Sequence, residues 1–94
     1  FYFIESLQKA AAALGLSSEE AKQLSLQTFV GASKLASLSD KDIAILREQV
    51  TSKGGTTEQA IRTMEQENIQ EKILMAGCIA AQRSCQISDE YSNL

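Results

Sequence analysis

The sequence predicts an all-α fold, a small bundle of about five helices. The strong helix formers Ala, Leu, Gln, Glu and Lys dominate its composition. Apolar residues recur at three- and four-residue spacing, and the strict alternation of a half-buried strand is nowhere sustained. Helix start and stop signals cut this pattern into separate segments.

The first helix is expected over residues 1–14, where Ile4, Leu7, Ala11 and Leu14 form one stripe. Gly15 ends it as a left-handed cap. Ser17 and Glu20 have the spacing of a capping box, in which each side chain bonds the other's backbone N–H, so a second helix starts there. It runs to about Leu38, with Ala21, Leu24, Thr28, Ala32 and Leu35 on one stripe. Gly31 in its interior costs about 1 kcal/mol against Ala. It is either a tolerated weak spot or the mark of a close helix–helix contact beside Thr28 and Ala32. Ser39, with Asp42 three residues on, opens a short third helix carrying Ile43, Leu46 and Val50. Residues 51–55 form a loop. A fourth helix starts near Thr56 or Thr57, carries Ala60, Ile61 and Met64, and ends at Asn68 as a left-handed cap. The fifth covers residues 70–87, with Ile73, Ala76, Gly77, Ala80, Ala81 and Ser84 on its apolar face and Leu74 and Cys78 beside it. The polar tail from residue 88 to 94 is expected to fray.

A chain of 94 residues makes one domain with a modest core. With no His, it lacks the usual neutral-pH proton shuttle and the commonest metal ligand. Nine Lys and Arg against twelve Asp and Glu leave a net charge of −3, which argues against a nucleic-acid surface. No apolar run approaches the ~20 residues of a membrane span. The apolar start at Phe1-Tyr2-Phe3-Ile4 has no Met and no basic flank. It reads as a helix cut in its middle, and so as a fragment of a longer protein, rather than as a signal peptide.

Cys78 and Cys85 lie seven apart, or ~10.5 Å along one helix, beyond the ~7 Å reach of a disulfide. Reduced thiols in a cytoplasmic protein fit this pattern better than a secreted framework. Two thiols without His leave a zinc shell unfilled, so no metal site is expected. Much Ala and few aromatics make a thin monomer. The small-residue stretches 10–13 and 76–81 suit close helix packing, either inside an ordinary small bundle or between two chains. We expect the latter, a homodimer in which helices of both chains interlock around one core.

The segment Val50-Thr51-Ser52-Lys53-Gly54-Gly55-Thr56-Thr57-Glu58 is where chemistry can sit. Two glycines lead into a helix start, whose first N–H groups lack partners and carry partial positive charge. A carboxylate or phosphate there gains charge-assisted hydrogen bonds. Ser52, Thr56 and Thr57 add hydroxyls and Lys53 a cation. The alternative is a Gly-rich turn followed by a Thr N-cap, its hydroxyls used by the helix itself. The segment is not a P-loop, since Lys precedes the glycines, and no G-x-G-x-x-G is present. Ser and Thr have no His to activate them as nucleophiles. The carboxylates Glu19/Glu20 and Glu65/Glu67 do not converge on one helix face and read as solvated surface.

Three stretches carry a resemblance to a known family. They are Leu24-Ser25-Leu26-Gln27-Thr28-Phe29-Val30-Gly31-Ala32-Ser33-Lys34, then Leu46-Arg47-Glu48-Gln49-Val50 through Thr57, then Ala80-Ala81-Gln82-Arg83-Ser84. In this order they resemble the C-terminal domain of pyrroline-5-carboxylate reductases over residues 1–87. Lys53 stands where the family usually has Pro, Ile43 where a Pro commonly opens the third helix, and Gln86 where Glu is frequent. The first departure removes a φ constraint from the loop.

The resemblance implies an enzyme that reduces 1-pyrroline-5-carboxylate to L-proline, the last step of proline biosynthesis. It implies NADPH or NADH as cofactor, bound mainly by an N-terminal Rossmann domain absent from this chain, so that the fragment alone is inactive. It implies a homodimer formed through this helical domain, often assembled further into decamers. Ser52 and the N–H groups of Gly55, Thr56 and Thr57 would hold the substrate carboxylate, and the Thr57 hydroxyl would contact the ring nitrogen. Two other readings stay open: a helical dimerisation module without chemistry, and the helical domain of a related imine or 2-hydroxy-acid dehydrogenase.

Overall fold

The computed structural model describes residues 1–93. Five helices and no strand occur among the described residues: α1 (Tyr2–Ala13), α2 (Ser18–Leu38), α3 (Ile43–Gln49), α4 (Thr56–Gln66) and α5 (Ile69–Ser92). The chain divides into two compact units, Phe1–Glu48 and Gln49–Leu94.

In the first unit, α1 packs against α2. The turn between them forms as its sequence dictates. Leu14 is the last half-helical residue, and Gly15 follows at φ +108°. The Leu16 N–H donates to the Ala11 carbonyl at 3.2 Å and the Gly15 N–H to the Ala12 carbonyl at 3.1 Å, the two bonds of a Schellman motif. Ser17 then caps α2. Its Oγ accepts from the Glu20 N–H at 3.2 Å, and Glu20 Oε1 accepts from the Ser17 N–H at 3.4 Å. Where α1 meets α2 the buried residues are Ala11, Ala21 and Ser25, all small, so the two backbones approach closely. The buried Ser25 hydroxyl is satisfied by donating to the Ala21 carbonyl at 2.7 Å.

The third helix starts later than its spacing suggests. Ser39 ends α2, and its Oγ accepts from the Lys41 N–H at 3.1 Å. Asp42 takes the cap position, its carbonyl accepting from the N–H groups of Ile45 and Leu46. Val50 lies beyond the end of α3.

In the second unit, α4 and α5 are in contact. Asn68 sits between them at φ +55° and ψ +42°, the left-handed conformation expected of it, two residues past the end of α4. The tail expected to fray is helical as far as Ser92, with Arg83 paired to Glu90 at 3.3 Å across two turns. Residue 94 lies outside the described residues.

Of the apolar stripes read from the sequence, that of α1 is covered in part, with Ala11 buried and Ile4 and Leu7 half-buried, whereas those of α2 beyond Ala21 and of α5 stay open among the described residues. Val30, Leu35 and Leu38 on α2 are exposed, as are Leu74, Met75 and Ile79 on α5, and neither α4 nor α5 has a buried residue. A Cβ at Gly31 or Gly77 would meet no atom within 4 Å, so the close contact expected at Gly31 is not made inside the chain. The chain exposes 8133 Å². Two separate compact bodies of half its mass would together expose only about 6,400 Å². The chain is therefore under-buried even for two bodies that share no surface.

Candidate functional site

The loop that leads into α4 is built from a tight turn and a helix start. The Gly55 N–H donates to the Ser52 carbonyl at 3.1 Å, closing a four-residue turn over residues 52–55. Gly54, its third residue, has φ +76°, whereas Lys53 is not in the positive-φ region. These are the marks of a type II turn, which needs Gly at its third position. The second glycine answers a different demand. Gly55 has an ordinary extended backbone (φ −88°, ψ 179°), but a Cβ there would collide with Ser52 Oγ and lie 3.2 Å from the Ser52 carbonyl oxygen. Gly55 thus lets the Ser52 hydroxyl lie against the entrance of the helix.

Gly55 is the N-cap of α4 and offers no side chain to it, so Thr56 and Thr57 are the first two helical residues. Their N–H groups have no acceptor within the helix. The hydroxyls of Ser52, Thr56 and Thr57 make no hydrogen bond among the described residues, and all three residues are exposed. The helix is therefore not capped by a threonine hydroxyl. Of the three amides expected to form the cradle, that of Gly55 is engaged by the turn, and those of Thr56 and Thr57 point out of the helix start. Lys53 is exposed and forms no ion pair among the described residues.

Sequence reasoning placed Glu58 in this segment but gave it no role, and this residue ties the loop together. Glu58, half-buried in the first turn of α4, accepts the Gly54 N–H on Oε2 at 3.2 Å and Arg62 Nη2 on Oε1 at 3.1 Å. An acidic residue three positions after a helix cap, with Arg four further on, is a visible signal. Here the capping residue is Gly, and the carboxylate reaches back to the amide before it. No group of three or more His, Cys, Asp or Glu could hold a metal among the described residues. Cys78 and Cys85 are both exposed and unpaired. No helix among the described residues is long and apolar enough to cross a membrane.

An all-helical chain with open apolar faces has the build of an assembly domain. The pyrroline-5-carboxylate reductase dimerisation family matches residues 1–87. Pyrroline-5-carboxylate reductase 2 of Bacillus subtilis is 37% identical over 92 residues, 98% of this chain and 33% of that protein. A solved pyrroline-5-carboxylate reductase from Coxiella burnetii superimposes with a TM-score of 0.77 at 45% identity, covering 81% of this chain and 28% of the other. The Plasmodium falciparum pyrroline carboxylate reductase, solved with NADP bound, gives the same TM-score at 33% identity over 80% of this chain and 30% of its own. The chain belongs to the pyrroline-5-carboxylate reductase dimerisation family. It spans about a third of the length of the curated relatives it matches.

Proposed function

We propose that this chain is the dimerising and substrate-binding part of a cytoplasmic enzyme that reduces 1-pyrroline-5-carboxylate to L-proline with NADPH or NADH. The single observation that carries the reading is the mouth of α4 in a chain of this family. There the Thr56 and Thr57 amides and three hydroxyls are left unused by the fold, beside a glycine that makes room for Ser52. The substrate is a small cyclic imine with one carboxylate. The Thr56 and Thr57 amides, with Ser52 Oγ and a shared bond from the Gly55 N–H, hold that carboxylate, helped by the helix dipole. The Thr57 hydroxyl meets the ring nitrogen and orients the C=N bond.

The reduced nicotinamide supplies a hydride to the imine carbon. A protonated imine is already electrophilic, so the protein contributes orientation more than proton transfer. A site without His suits that chemistry. The donors in this loop fit a carboxylate, and the chain has no glycine fingerprint for a dinucleotide. The cofactor is accordingly bound mainly by an N-terminal Rossmann domain outside this chain, and the 94 residues alone are inactive.

The homodimer follows from the open faces. Leu35, Leu38, Leu74 and Ile79 are exposed in one chain, and Gly31 and Gly77 leave space for a neighbouring backbone. A second copy covers these faces, and such dimers can assemble further into decamers.

The test is an assay of the full-length polypeptide that carries this segment. It should oxidise NADPH or NADH with 1-pyrroline-5-carboxylate and, at high pH, reduce NAD(P) with L-proline. Turnover of another cyclic imine or of a 2-hydroxy acid, with none of this pair, would overturn the substrate assignment. A stable dimer inactive towards all of them would leave a non-catalytic assembly module.

A further inference from the structure

The Ser52 hydroxyl lies at the mouth of α4 only while the 52–55 turn keeps its shape. Within that turn, one hydrogen bond joins the Gly55 N–H to the Ser52 carbonyl. A second comes from outside it. Glu58 holds the Gly54 N–H with one carboxylate oxygen and Arg62 with the other. Lys53 occupies the second turn position, where Pro would restrain φ, so this turn lacks that covalent restraint. Gly54 is the most permissive residue in the turn and sits at positive φ. Its amide is the group that an external acceptor must hold if the peptide is to stay in one orientation.

We propose that Glu58 is a positioning residue, with Arg62 as its support: by clasping the Gly54 amide it sets the turn that presents Ser52 to the substrate carboxylate. The proposal rests on the substrate-binding reading of this loop. It makes a claim of unusual sign. Glu58 puts a negative charge in the first turn of the helix whose mouth binds an anion, so Coulomb repulsion alone predicts that its removal tightens substrate binding. The clasp predicts the reverse. Arg62 draws off the charge through its ion pair, and what is lost with Glu58 is the order of the turn.

The experiment uses the full-length enzyme and two variants, Glu58→Ala and Glu58→Gln. Gln keeps an amide oxygen for the Gly54 N–H and discards the charge. Glu58→Ala should raise KM for 1-pyrroline-5-carboxylate about fivefold or more, the effect of one lost ordering hydrogen bond. The KM for the nicotinamide cofactor should stay put, and Glu58→Gln should remain within about twofold of wild type. Hydrogen exchange of the peptide spanning residues 51–58, measured on the same proteins, should speed up in Glu58→Ala and not in Glu58→Gln. An unchanged or lowered KM in Glu58→Ala overturns the proposal, as does unchanged exchange in that peptide. If the wild-type protein reduces no pyrroline-5-carboxylate, the functional reading fails instead, and the exchange measurement still decides whether Glu58 sets the turn.

Discussion

Two adjacent glycines in the loop before α4 serve different physical needs, and this separates the effects of mutating them. Gly54 is favoured by its backbone, at φ +76°, whereas at Gly55 a Cβ would push the Ser52 hydroxyl aside. Gly55→Ala should therefore leave the helix start intact, since φ −88° suits any residue, while displacing the Ser52 side chain. We expect a raised substrate KM with a melting temperature close to wild type, read from steady-state kinetics beside thermal unfolding. Thr57→Ala removes the hydroxyl assigned to the ring nitrogen. It should lower kcat/KM by the equivalent of ~1–3 kcal/mol, and a wild-type value would remove Thr57 from the site. Lys53→Pro acts on the unfolded chain, because Pro suits the second position of a type II turn. It should stabilise the fold by ~0.4–1 kcal/mol in denaturant unfolding. An unchanged KM in that variant would show that the Lys53 ammonium does not attract the substrate.

At the scale of elements, the helix boundaries with side-chain or glycine caps lie where the sequence puts them. The Ser17 and Glu20 box and the Gly15 turn each depend on residues only a few positions apart, and both form as read. Ser17→Ala should destabilise the first unit by about 1 kcal/mol, and Gly15→Ala by about as much or more, because φ +108° is strained for any Cβ. Circular dichroism during denaturant unfolding would measure both. The start of α3 was less legible, and so was the cap of α4, although that helix begins at Thr56 as read. At α3, Ser39 and Asp42 are both good caps three apart, and Asp42 takes the role while Ser39 closes α2. At α4, the Thr pair looks like the cap, yet Gly55 takes that position and leaves the hydroxyls outward. The role of Glu58 was not legible for a related reason. Its bond to the Gly54 amide joins a helical carboxylate to a turn peptide four residues back, a contact that residue type alone does not announce.

For the molecule as a whole, the governing fact is the absence of an interior. Among the described residues, only three small ones, Ala11, Ala21 and Ser25, are fully buried. At roughly 25 cal/mol per Å² of apolar surface, so little burial cannot offset the entropy of ordering 94 residues. A second copy is the proposed remedy, and it has two measurable consequences. Sedimentation equilibrium of the 94-residue chain should give about twice its 10.2 kDa mass, and its melting temperature should rise with concentration. Gly31→Leu or Gly77→Leu places a large side chain where one chain has only open space. Such a variant should shift the mass towards the monomer, and an unshifted mass would place the contact elsewhere.

The sequence by itself determined the all-helical class, the capped turn between α1 and α2, the left-handed Asn68 and the glycine-led mouth of α4. Each of these depends on hydrogen bonds and φ preferences between residues close in the chain, and those are written in residue type. Only the tertiary structure decided that the stripes on α2 and α5 stay uncovered, that Gly31 and Gly77 have no neighbour, and that Glu58 holds the loop. Periodicity says which face of a helix is apolar, but burial depends on what is packed against that face. For most of this chain's apolar surface, no covering element lies among the described residues.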